Sequence, residues 1–111
     1  MSIQVWKYEL KIENEQWIEL PHGAKILNID VQRGVPCLWA QVDTNMGKTS
    51  TLIVTHGTGH KMRSGDMTFL GTYQFDDGSF VGHVFMPLDE GHPIADAVQD
   101  LVRYIESDED D

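Results

Sequence analysis

Residues 54–62 read Val-Thr-His-Gly-Thr-Gly-His-Lys-Met and bring two histidines, two glycines and two threonines together. Glycine tolerates positive φ and leaves room for a ligand, so Gly57-Thr58-Gly59 can bring backbone amides close to an anion. Thr58, His60, Lys61 and Arg63 add side-chain donors, and Lys61 and Arg63 are two of only eight bases in the chain. Gly57, Thr58, Gly59, His60, Lys61 and Arg63 are therefore the candidate ligand-binding residues, suited to a small anion such as a phosphorylated or nucleotide signal. The stretch is neither a P-loop nor a dinucleotide fingerprint, because the spacing and the following helix of those motifs are missing. A glycine-rich connection that only turns the chain explains the same residues.

A metal site is the second chemistry to weigh. Zinc takes three or four nitrogen or sulfur donors, and His56, His60 and His83 are the histidines that could converge. His56 and His60 have the spacing of ligands on a helix, but Gly57 and Gly59 oppose a helix there. His83 shares a face with Val81 and Phe85, which suits a core histidine or a cross-strand partner. The lone cysteine, Cys37, sits in Val35-Pro36-Cys37-Leu38-Trp39-Ala40 and reads as a small buried hydrophobe. No serine or cysteine occupies a recognisable nucleophile elbow, and Asp76 and Asp77 are turn formers. The expectation is no catalytic residue, no metal and no cofactor. A small metal-dependent enzyme stands as the last alternative.

Two features point to interfaces. Trp17 lies opposite Ile18 and Leu20 on its strand, beside acids, and an exposed tryptophan is a common interface anchor. Near the end of the chain, Ile94, Val98, Leu101, Val102 and Ile105 recur at helical spacing and form an apolar stripe. His92-Pro93 opens that helix with proline at the first helical position. A helix of this length is marginal alone, so the stripe packs either on the domain or on a partner.

The elements that would position these residues are mostly strands. Trp6, Tyr8, Leu10 and Ile12 alternate with Lys7, Glu9 and Lys11, the period of a half-buried strand. Residues 16–20 make a short strand, and 24–32 alternate again with Leu27, Ile29 and Val31 on one face. Residues 35–43 are apolar on both faces, as in a strand covered on both sides. A Thr-rich strand spans 49–56, and the Asp-Gly signal of 76–79 joins 67–75 to 79–86 as a hairpin. Turn signals every 8–12 residues suggest a mainly β fold, an antiparallel sandwich or small barrel of about seven strands, with one C-terminal amphipathic helix. The organisation expected is a β domain over 1–86, a helical extension over 87–106 packed on it or on a partner, and an acidic frayed tail over 107–111.

Length and composition bound the rest. A chain of 111 residues, 41% hydrophobic and 23% charged, is one ordinary globular domain. No run of about 18 apolar residues marks a membrane span. The start, Met-Ser-Ile-Gln-Val-Trp, lacks the charged-then-apolar pattern of a secretory signal, which points to the cytoplasm. The net charge of −10 disfavours direct binding of nucleic acid. Glu106, Asp108, Glu109, Asp110 and Asp111 supply five of the 18 acids, so the remaining 13 face eight bases and the body is only mildly acidic.

The chain resembles a family of small proteins of bacteriophages and bacterial genomes. The likeness rests on Trp6-Lys7-Tyr8, on Glu19-Leu20-Pro21 with Gly23-Ala24-Lys25-Ile26-Leu27, and on Gln32-x-Gly34-x-Pro36-x-Leu38-Trp39-Ala40-x-Val42-Asp43. It continues through Gly57-Thr58-Gly59-His60, Gly71-Thr72-x-Gln74 and His83-Val84-Phe85. The resemblance implies an accessory phage or prophage protein and brings no assigned enzyme activity with it. It also implies that the helix and acidic tail extend a shorter common domain and give this member an oligomeric state or partner of its own. The reading is thus a non-catalytic accessory protein that binds or inhibits a host protein stoichiometrically, in defence or otherwise. The alternative is a ligand-sequestering protein acting through Gly57–Arg63. Its expected partners are a host protein, a small anionic ligand or a second copy of itself.

Overall fold

The computed structural model describes residues 1–88. Seven strands follow one another: β1 (Ile3–Glu9), β2 (Glu15–Pro21), β3 (Lys25–Gln32), β4 (Val35–Asp43), β5 (Lys48–Gly57), β6 (Met67–Phe75) and β7 (Phe80–Pro87). All pairings are antiparallel, in a three-stranded sheet ordered β1-β4-β3 and a four-stranded sheet ordered β2-β5-β7-β6. The sandwich alternative therefore holds, and the described sheets do not close into a barrel. Of the helical extension expected over 87–106, Pro87 ends β7, and residues 89–106 and the acidic tail over 107–111 lie outside the described residues.

Local chemistry sets the turns. Gln32 pairs with Val35 across Arg33 and Gly34, whose φ angles are 53° and 79°. Positive φ at both central residues makes this the two-residue type I′ turn that matches strand twist. Between β6 and β7 the left-handed conformation runs through Asp76, Asp77 and Gly78. Aspartate is among the few side chains that tolerate it.

The two inward faces meet in one core built from Leu10, Ile29, Leu38, Ala40, Val42, Ile53, Tyr73 and Val84. Gly82 lies opposite Tyr73, and a Cβ there would sit 2.7 Å from Tyr73 Cζ and 3.0 Å from Thr55 Cγ2. The tyrosine ring thus fills the space a side chain would take.

Two bulges reassign faces that simple alternation misplaces. β3 shifts register between Ile26 and Asn28, so Ile26 and Ile29 both pack on the core while Leu27 is exposed. β6 shifts between Phe69 and Gly71, so Phe69 faces outward while Tyr73 and Phe75 face inward. A bulge adds one residue and inverts the alternation beyond it. Ile12, expected to face inward with Leu10, lies past the end of β1 and is exposed.

The strand covered on both sides is also not the one expected. On the outward side of β4, Cys37 is buried, Trp39 half-buried and Gln41 exposed. In β5 every residue from Thr51 to Thr55 is buried. β5 is an interior strand of the larger sheet, bonded to β2 along most of its length and to β7 from Val54 to Gly57.

Candidate functional site

β5 delivers His56 to the outward face of the four-stranded sheet and then turns sharply. The His60 amide donates to the Gly57 carbonyl at 3.0 Å, and Gly59, the third residue of that turn, has φ of 85°. Positive φ at this position defines a type II turn, which needs glycine there. The turn folds the His60 ring onto Gly57, where a Cβ would stand 2.7 Å from His60 Cε1 and 2.8 Å from Nδ1. Both glycines of the Gly-Thr-Gly stretch thus have geometric reasons, one a backbone angle and the other a ring contact.

The turn places its side chains against β7. Thr58 Oγ1 lies 2.7 Å from His83 Nε2, and Thr72 Oγ1 of β6 lies 3.0 Å from His83 Nδ1. One imidazole nitrogen donates and the other accepts in either tautomer. His56 stands directly across from His83 in the β5–β7 register, and its Nε2 accepts the Arg63 amide at 3.2 Å. Arg63 in turn holds Glu15 of β2, Nη1 to Oε2, at 3.2 Å. These contacts fix the segment after the turn against the sheet.

Two open clefts adjoin here and share His56, His60 and Met62. One, of about 280 Å³, lies among Asn14, Glu15, Val54, His60, Lys61 and Arg63. The other, of about 250 Å³, lies among Gly57, Thr58, Gly59, His83 and Phe85. All six residues singled out for ligand binding border this pair of clefts. The three histidines border the second, yet among the described residues no three His, Cys, Asp or Glu side chains are grouped as a metal requires.

Beside the clefts runs a row of rings. His56 and Phe85 have centroids 5.8 Å apart, and Phe85 and Phe69 lie 5.4 Å apart, both pairs tilted. Phe69 ends the row at 57% exposure. On the same face Trp17, paired with Leu52, is 60% exposed, and Met62 is exposed above the clefts. Trp17 is thus exposed as its strand pattern suggests. Phe69, Phe85 and Thr72 escaped sequence reasoning. Phe85 alone left a signal, by sharing a face with His83, whereas the bulge at Leu70 hides the direction of Phe69. Ile94, Val98, Leu101, Val102 and Ile105, expected at an interface, lie outside the described residues.

Residues 1–95 match a family described as a domain of unknown function, DUF7352. The chain belongs to this family. No curated protein and no solved structure matches the chain, so for this DUF7352 domain the reading of function rests on its own geometry. Among the described residues, no helix is long and apolar enough to cross a membrane.

Proposed function

We propose that this DUF7352 domain is a non-catalytic binding module that docks a partner protein on the outward face of its four-stranded sheet. The observation that carries the reading is the ring row His56–Phe85–Phe69, which runs to an exposed end on the face that also exposes Trp17. Single exposed apolar residues are ordinary, but aromatic residues grouped on one face are the composition of an interface centre. The clefts beside them fit the same role. Small-molecule pockets run from roughly 300 to 1,000 Å³ and enclose most of the ligand, whereas open clefts of about 280 and 250 Å³ suit side chains inserted by a partner. The likeness to phage and prophage proteins supports a host protein as that partner, bound stoichiometrically and inhibited in the cytoplasm. The test is capture from producing cells with the wild-type chain and with Trp17→Ser/Phe69→Ser. A partner retained by the first and lost from the second, at equal thermal stability, supports the reading; the same partner on both contradicts it.

A small anionic ligand is the second reading, favoured by the meeting of all six residues from Gly57 to Arg63 at one pair of clefts. Two features weaken it: Arg63 is engaged by Glu15, and the His60 amide is used within the turn. Calorimetry with nucleoside mono- and diphosphates tests it. Uptake lost in His60→Ala/Lys61→Ala would favour this ligand over a protein partner.

A further inference from the structure

Each sheet has two edge strands, and three of these four edges are guarded. β3 and β6 are both bulged, and they pack on one another where Ile29 Cβ lies 2.9 Å from the position of a Cβ on Gly71. On β2 the outward residues follow from one bond: the Thr55 amide donates to the Asn14 carbonyl, so even-numbered residues face β5 and odd-numbered ones face away. The outward set is Glu15, Trp17, Glu19 and Pro21. Proline has no amide to offer a new strand, and both charges on this edge are negative, so two copies would bring four carboxylates to one seam.

β1 has neither a bulge nor a proline, and its two charges, Lys7 and Glu9, are opposite in sign. The Leu10 amide donates to Pro36 and the Thr44 amide to Ser2, both in the β1–β4 register, so the even-numbered residues of β1 face β4. Ile3, Val5, Lys7 and Glu9 therefore point their amides and carbonyls away from the sheet, along seven residues without a bulge or proline. Among the described residues no strand pairs with this edge. Ile3 and Val5 are exposed at 50% and 59%.

We infer that β1 is a self-association edge, at which two copies of the chain pair antiparallel about a two-fold axis through Trp6 and join their three-stranded sheets into one of six strands. Symmetry selects the partner, because an unguarded antiparallel edge is its own complement. It also selects the register. Full overlap of residues 3–9 sets Val5 opposite Lys7 and Ile3 opposite Glu9 of the second copy, with no like charges facing. A two-residue slip one way sets Lys7 against Lys7, and a slip the other way leaves only residues 3–7 overlapped. The edge itself carries no net charge, since Lys7 balances Glu9.

Sedimentation equilibrium of the full chain tests the edge and its register. The wild type is expected to be a dimer. Val5→Lys places two lysine pairs in opposition and should raise the dissociation constant about tenfold. Val5→Glu faces Lys7 and should keep the dimer. Val5→Pro removes an amide that β4 does not use, so it should give a folded monomer with an unchanged circular dichroism spectrum. A wild-type monomer at tens of micromolar would overturn the proposal. So would a dimer indifferent to Val5→Lys, or equal dissociation by Val5→Lys and Val5→Glu, which needs no folded proline variant.

Discussion

The outward face of the three-stranded sheet sets Val5, Lys7 and Asp30 beside a half-buried Trp39 and an exposed Gln41, the usual mixture for strands wetted on one side. The outward face of the four-stranded sheet carries Trp17, Phe85 and Phe69, with His56 and His83 among them and Leu52 and Val54 buried alongside. Both sheets supply the same core from their inner faces, so the core does not explain this second apolar surface. A face richer in rings than folding requires is where binding is to be sought. The same sheet holds the turn at Gly57–His60 and both clefts, so shape and composition single out one side of the molecule.

The inner and outer faces of the four-stranded sheet should respond differently to substitution. The largest loss is expected at Gly82→Ala, whose methyl would press on the buried Tyr73 ring. Overpacking of this kind costs about 2 kcal/mol, readable as a lower urea midpoint. Tyr73→Phe should act in the opposite direction. The Tyr73 hydroxyl is buried and has no hydrogen-bond partner among the described residues, and removing such a group should raise stability by about 1 kcal/mol near neutral pH.

The same tyrosine sets an alkaline limit. Burial raises the pKa of Tyr73, and of Tyr8, above the ordinary 10.0. Below that pH both states keep their phenolic protons and the groups contribute no pH dependence. Above it the unfolded chain releases protons that the folded chain retains, so stability falls as pH rises. Tyr73→Phe should make that fall shallower in urea titrations at pH 9 to 11.

A smaller gain is expected at the β3–β4 turn, on the other sheet. Arg33 has φ of 53°, and Arg33→Asn supplies the Asn-Gly pair that type I′ turns favour, raising stability by about 0.5 kcal/mol. The smallest change belongs to the outer face. Trp17→Ser should change the unfolding free energy by less than about 0.5 kcal/mol, read from urea titration, because the ring packs mainly against solvent. A large loss there would make Trp17 a structural residue and erase the contrast between the faces.

Strand order along the chain was legible because period-two alternation and Gly- or Asp-rich turns are local. The faces of β3 and β6 were not, since nothing local in Ile26-Leu27-Asn28 or Phe69-Leu70-Gly71 says which residue the partner strand will skip. β5 reads as a Thr-rich strand, and its burial on both sides depends on the large side chains that long-range pairing sets beside it, Trp17 next to Leu52 and Phe85 next to Val54. The loop from Gly57 to Arg63 was legible as an unusual cluster. Its meeting with His83 and Thr72 depends on the β5–β7 and β6–β7 registers, which are long-range. Trp17 was legible as exposed because acids flank it on a short strand.

The most direct test of the docking face places a benzophenone side chain at position 17 and, in a second variant, at position 41 on the exposed outward side of the other sheet. Irradiation of producing cells is predicted to give a discrete covalent adduct with one protein from position 17 and none from position 41. Adducts from neither position, or the same adduct from both, would contradict a partner surface on the four-stranded sheet.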